Sequence, residues 1–164
     1  MKKLIRRRQL PSTEHFLDSD IHPLLARVYS GRGVDSCGQL DLSLEQLLLP
    51  MLLLNADRAA TMLADALSRD DRIVVIGDFD ADGATSTALA VSVLKALGAG
   101  HVDYLVPNRF EYGYGLTPEI VALAAIDKPD LIITVDNGIS SLEGVAAAKE
   151  FGIATLITDH HLAG

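Results

Sequence analysis

Ile73-Val74-Val75-Ile76-Gly77-Asp78-Phe79-Asp80-Ala81-Asp82-Gly83 divides into two halves with opposite physical demands. The first half is a short β-branched block, the composition of a strand buried on both faces. The second half puts three carboxylates, Asp78, Asp80 and Asp82, into five residues. Like charges held this close raise each other's pKa unless a cation neutralises them. A buried strand that runs into such a cluster is a candidate site for a hard divalent cation such as Mg2+ or Mn2+.

Two further strand-like runs end in ligand-type residues. Ile132-Ile133-Thr134-Val135 leads into Asp136-Asn137-Gly138, and Ala154-Thr155-Leu156-Ile157-Thr158 leads into Asp159-His160-His161. Between and around them the sequence reads β-α-β-α-β-α-β, with strands expected at 73–77, 102–106, 131–135 and 153–157. Helices are expected from Ala84 to Leu97, from Pro118 behind the cap Thr117, and from Ser140, where Glu143 three residues on makes a capping box. Strands alternating with helices at this spacing predict an α/β fold, a parallel sheet with flanking helices. Ligands of such sheets sit at the carboxyl ends of the strands. That places Asp78, Asp80, Asp82, Asn108, Arg109, Asp136, Asp159, His160 and His161 along one edge.

Residues 1–70 show no strand signal and read as a helical N-terminal extension to the domain at 71–164. Ser43 with Gln46 is expected to cap a helix running into Leu47-Leu48-Leu49. Apolar residues at 56, 59, 60, 63 and 67 predict a second helix, closed by a turn at Asp70-Asp71. The Leu47–Leu54 run is interrupted by Pro50 and too short to span a bilayer. The basic start, Met1 to Arg8, has no apolar stretch behind it and reads as a solvated tail rather than a signal peptide. The net charge of −8 argues against nucleic-acid binding by bulk charge but not against a nuclease whose acids hold cations. Cys37 is the only cysteine, so no internal disulfide is possible and a cytoplasmic setting is the default.

Each signal has a competing reading. Asp-x-Asp-x-Asp-Gly also opens an EF-hand loop, but Leu89 stands where its Glu belongs and a strand precedes it. A strand followed by Asp-x-Asp also begins haloacid-dehalogenase-type phosphatases, against which the third acid counts. Helix capping alone would need one Asp. Asp136-Asn137-Gly138 by itself is ordinary turn composition. His15, His22 and His101 lack a ligand context and read as surface or structural residues. In the loop Asn108 to Leu116, Arg109 can grip a phosphate and Tyr112 or Tyr114 can stack on a base.

Taken together, Val75 to Ser86, Leu105 to Phe110 with Gly113-Tyr114-Gly115-Leu116, Thr134 to Ser141, and Thr158 to Leu162 resemble the DHH phosphoesterase superfamily. Within it, they are most similar to bacterial single-stranded-DNA-specific 5′→3′ exonucleases of DNA recombination and repair. The resemblance implies phosphodiester hydrolysis with two ions, Mn2+ or Mg2+. It implies that Asp78, Asp80, Asp82, Asp136 and His160 hold the metal, with Asp136 bridging the two ions. Many members carry a His near the position of Ile76; its absence leaves Asp78 as the substitute. His161 would contact the scissile phosphate, Asp159 and Asn137 would orient these groups, and Arg109 would compensate charge. Asn108, Arg109 and Tyr114 would face the nucleic acid. Single-stranded DNA is the implied partner, with a single-strand-binding protein or helicase as helper and no membrane, and the full-length enzyme would be a monomer. The family needs a further metal-binding Asp. Since the sequence stops three residues after His161, it reads as the first part of a longer enzyme, inactive or weakly active alone. Two other functions are open to these residues: a small-nucleotide phosphodiesterase or pyrophosphatase of the same superfamily, and a non-catalytic DNA-binding relative.

Overall fold

A computed structural model describes Gln9, residues 11–17 and residues 19–163 of the chain; the basic Met1–Arg8 cluster lies outside them. The chain divides into two compact units, one ending at Leu53 and one beginning at Leu54.

In the first unit, α1 (Pro23–Gly31) is opened by His22, whose Nδ1 accepts the Leu24 N–H at 3.2 Å, with Pro23 at the first helical position. His15 bonds the Val34 carbonyl at 3.0 Å, a structural role like that of His22. The helix expected to run through Leu47-Leu48-Leu49 does not form. Leu44–Gln46 and Pro50–Leu52 are isolated 3-10 turns, and Leu47 and Leu49 between them are extended. Proline disfavours helical backbone in the residue before it, so Leu49 cannot continue a helix into Pro50. The leucines of this segment stay exposed.

The second unit holds α2 (Ala56–Ser68), β1 (Ile73–Ile76), α3 (Ala81–Ala96), β2 (Val102–Leu105), α4 (Arg109–Tyr112), α5 (Pro118–Ala124), β3 (Leu131–Val135), α6 (Leu142–Glu150) and β4 (Ala154–Thr158). Among the described residues, the strands form one parallel sheet in the order β2-β1-β3-β4. β1 and β3 are central and buried along their whole length, as their near-continuous runs of Ile, Val and Leu require. Alternate residues feed two cores. Ile73, Val75, Leu131, Ile133 and Val135 pack with α2 and α3 on one face. Val74, Ile76 and Ile132 pack with α5 and α6 on the other. Each such side chain contributes about 1.5–3 kcal/mol of burial.

The strand order fixes where a ligand would sit. From β1 the chain moves outward to β2 through α3, then returns across β1 to β3 and β4 through α5 and α6 on the opposite face. The direction of winding therefore reverses between β1 and β3. At such a switch point the two following loops diverge and leave a crevice at the carboxyl ends of the strands. Asp78 follows β1 and Asp136 follows β3, so the two acids flank that crevice.

Two helix starts differ from the sequence expectation. α3 begins at Ala81 rather than Ala84, because Asp80 itself is the cap and accepts the Gly83 N–H. α6 begins after Ser141, and no side-chain cap bond forms there. Ser141 Oγ instead accepts the Leu116 N–H at 3.0 Å, joining the approach to α5 to the start of α6.

Candidate metal centre and active site

The loop after β1 distributes its three acids unequally. Asp78 is buried; one oxygen accepts the Phe79 N–H at 2.8 Å and the other is paired with Arg109 Nη2. Asp80 caps α3 through the Gly83 N–H at 3.3 Å and lies 3.6 Å from Arg109. Gly83 has no alternative, since a Cβ there would lie 2.5 Å from the Asp78 carbonyl oxygen. Asp82 belongs to the first turn of α3, is exposed, and reaches within 3.7 Å of His160 Nε2. Partial desolvation is the largest influence on the Asp80 carboxyl and raises its pKa. The Gly83 N–H, contacts with Asp82 and Asp136, and the Arg109 charge outweigh it, and the net shift is downward.

The loop after β3 is built differently. Asp136 has φ +63°, in the left-handed region that costs a non-glycine residue of the order of 1 kcal/mol or more. It is 7% exposed, and its Oδ1 meets His160 Nε2 at 2.9 Å. Burial is the main cause that raises its pKa. The charges of Asp82 and Asp80 add to the rise, while the His160 hydrogen bond opposes it. Asn137, 2% exposed, donates from Nδ2 to the Ile76 carbonyl at 3.1 Å and to the Val135 carbonyl at 2.9 Å. It thereby ties the end of β1 to the end of β3 across the switch point. Thr134 Oγ1 donates to the Asn137 carbonyl at 2.7 Å, and Thr158 Oγ1 to the Thr134 carbonyl at 2.6 Å.

After β4, Asp159 is a bracket rather than a free acid. Oδ2 accepts the Ile139 N–H at 2.9 Å; Oδ1 accepts the His161 N–H at 3.1 Å and meets His161 Nδ1 at 2.7 Å. Desolvation pushes its pKa up, but these bonds and the His161 charge prevail and hold it low. In return, the Asp159 hydrogen bond raises the pKa of His161.

Arg109, on the first residue of α4, lies 4.3 Å from the Phe79 ring and 4.9 Å from the Tyr114 ring while pairing with Asp78. Asn108 caps that turn, accepting the Phe110 N–H at 3.0 Å and reaching Glu111 at 3.2 Å. The Tyr114 hydroxyl donates to the Asp136 carbonyl and meets His161 Nδ1, both at 3.1 Å. Its pKa is raised, first by burial and then by Asp159, Asp78 and Asp136, so it stays a protonated donor. Tyr112 packs instead against the α5–α6 core. Phe79 and Ser141 carried no role in the sequence reading. Their contacts join residues far apart in the chain, which local pattern does not reveal.

These residues fit a divalent cation. Ligand atoms of Asp78, Asp80 and Asp136 lie within 4.8 Å of one another, and so do those of Asp136, His160 and His161. Asp136 is common to both sets. Carboxylate-dominated donors with imidazole at one side suit Mn2+ or Mg2+. A buried, mutually repelled carboxylate is also the group that gains most from a cation.

Known proteins resemble this chain in sequence and in fold. The model of the DHH family, N-terminal domain, matches residues 72–164. The single-stranded-DNA-specific exonuclease RecJ of Haemophilus influenzae is 49% identical over 162 residues, covering 99% of this chain and 28% of that protein. The RecJ of Dickeya dadantii is 51% identical over 164 residues, all of this chain and again 28% of that protein. A crystal structure of exonuclease RecJ bound to manganese superposes with a TM-score of 0.65 at 41% identity, covering 72% of this chain and 30% of that one. The chain thus spans under a third of the length of the relatives it matches. With the family model running over more than half of the sequence and over the sheet that gathers these acids, the chain belongs to the DHH family.

Proposed function

We propose that residues 71–164 are the DHH-type part of a divalent-cation-dependent exodeoxyribonuclease that degrades single-stranded DNA from its 5′ end in recombination and repair. The observation that carries this reading is that two ligand sets share Asp136 at the switch point of the sheet. The relatives named as single-stranded-DNA-specific exonucleases support the substrate class.

Asp78, Asp80, Asp82, Asp136 and His160 would hold Mn2+ or Mg2+, two ions in the complete enzyme, with Asp136 common to both. Such a cation pair, when bound, supplies the charge that makes water acidic enough to attack at neutral pH and that neutralises the phosphodiester oxygens. The chain's own groups do the rest. Arg109 presents a planar fork that matches phosphate oxygens, its plane held by the Phe79 and Tyr114 rings. His161, with Nδ1 committed to Asp159, meets the scissile phosphate through Nε2. Asp159 and Asn137 hold these groups in place, and Asn108 and Tyr114 complete the wall that faces the strand.

A single-strand-binding protein or a helicase is the class of helper that this substrate implies, the working enzyme a monomer and its location the cytoplasm. No helix among the described residues is long and apolar enough to cross a membrane. Because the chain matches 28% of the length of its relatives, the 164 residues alone are inactive or weakly active. The test is a hybrid in which this chain replaces the matching segment of the Haemophilus influenzae relative. With Mn2+ it degrades a labelled single-stranded oligonucleotide far faster than blunt duplex. Comparable rates on the two substrates rule the reading out.

A further inference from the structure

Tyr114 touches three parts of the site at once. Its hydroxyl has one proton, donated to the main-chain carbonyl of Asp136 at 3.1 Å. The remaining lone pairs can only accept, and His161 Nδ1 stands 3.1 Å away. That contact is satisfied when Nδ1 carries the proton, shared between the Tyr114 oxygen and Asp159 Oδ1 at 2.7 Å. The unprotonated nitrogen of a neutral His161 is then Nε2. The Tyr114 ring also stands at right angles to the His161 ring, centroids 5.8 Å apart, and 4.9 Å from the Arg109 guanidinium.

The loop that carries this side chain is anchored on its Leu116 side. Gly113 and Gly115 flank it with φ of +78° and +79°, so the chain turns sharply on either side. Leu116 follows, buried, with its N–H held by Ser141 Oγ. Gly144 of α6 lets the backbones close up, since a Cβ there would lie 2.0 Å from the Leu116 carbonyl oxygen.

We infer that Tyr114 is a positioning residue: Asp159 sets the tautomer of His161, the Tyr114 hydroxyl holds that ring in orientation against the Asp136 backbone, and the Tyr114 ring supports Arg109. The inference rests on the nuclease reading above for its catalytic meaning, though not for its geometry. Phe110, 96% exposed beside Arg109, is a more open ring than Tyr114.

Two variants separate positioning from stacking. Tyr114→Phe keeps the ring and removes only the hydroxyl; Tyr114→Ala removes both. In the hybrid nuclease, Tyr114→Phe should lower kcat by about 10–100-fold with KM little changed, the usual cost of losing a partner that orients a site group. Tyr114→Ala should lower kcat further and raise KM, because Arg109 loses its support. A stacking role predicts the reverse: Tyr114→Phe indistinguishable from wild type and only Tyr114→Ala raised in KM. The second readout needs no activity. In the chain itself, proton NMR should show cross-relaxation between the Tyr114 and His161 rings, and Tyr114→Phe should weaken it strongly. A wild-type hybrid without nuclease activity would count against the nuclease reading, and the ring contact then decides the inference alone. Wild-type kcat in Tyr114→Phe, or an undiminished ring contact in that variant, overturns it.

Discussion

The loop after β1 carries three carboxylates and the loop after β3 carries one, yet the single carboxylate is the less satisfied. Asp78 and Asp80 are answered within the protein by a backbone N–H each and by Arg109, and the Asp80 pKa is held low. Asp136 is buried, sits in left-handed backbone, meets the His160 imidazole on one side and the acids of the first loop on the other, and has its pKa pushed up. The crowded loop answers two of its three acids through Arg109 and backbone N–H groups and leaves the third, Asp82, exposed. The sparse one retains an unmet demand for positive charge. Counting acids therefore points to the candidate site, but burial and backbone decide which acid would gain most from a cation.

The largest stability effect expected from this contrast lies beside Asp136. Asn137 satisfies two buried carbonyls, one on each central strand. Asn137→Ala removes two hydrogen bonds and leaves buried acceptors unpaired, a loss of about 2–4 kcal/mol. Urea unfolding of the cation-free chain measures it; a change under about 0.5 kcal/mol would show that the two strand ends are not tied through this side chain.

Substituting the acids themselves should separate the two loops by sign. Asp136→Asn keeps a residue tolerant of left-handed backbone and removes a repelled, desolvated charge. In chelator it should raise Tm by about 2–4 °C, the shift that about 1 kcal/mol produces in a domain of this size, while cation binding is lost. Asp80→Ala deletes a helix cap and an Arg109 partner, and should lower Tm. Two shifts of the same sign would break the comparison.

The smallest effect is on pH. His161 has its pKa raised above its usual 6.5 by Asp159, so the folded chain holds that proton more tightly than the unfolded chain. The stability this contributes is complete below about pH 6.5 and is lost as pH rises through the folded value. In chelator, the urea midpoint should fall between pH 6 and pH 8.5 in the wild type and fall less in Asp159→Asn. An equal fall in both would show that the pair carries none of the dependence.

Much of this molecule was legible from the chain. The apolar runs at Ile73–Ile76 and Leu131–Val135 form the central strands, and Asp78, Asp80 and Asp136 behind them gather at one edge with His160 and His161 behind β4. What escaped was of two kinds. Some local competition decides against the pattern: Pro50 dissolves the helix expected through Leu47–Leu49, and α6 starts one residue after the expected cap Ser140, at Ser141, whose hydroxyl holds Leu116 instead of capping. The rest was long-range. Asn137 meets Ile76 across 61 residues and Tyr114 meets His161 across 47, and no local period encodes either contact. Asp136-Asn137-Gly138 taken alone has ordinary turn composition, because its burial comes from strands on both sides; Asp136 stands out as a candidate ligand only together with the other two strand ends.

Calorimetric titration of the chain with Mn2+, before and after Asp136→Ala, tests the central claim most directly. Asp136 is the acid common to both ligand sets, so its loss should cost more than the ~10–100-fold in affinity that removing an outer hydrogen-bond partner costs. Asp82→Ala, which takes an exposed acid from outside both sets, should retain measurable binding. Equal Mn2+ binding by the wild type and Asp136→Ala would contradict the account.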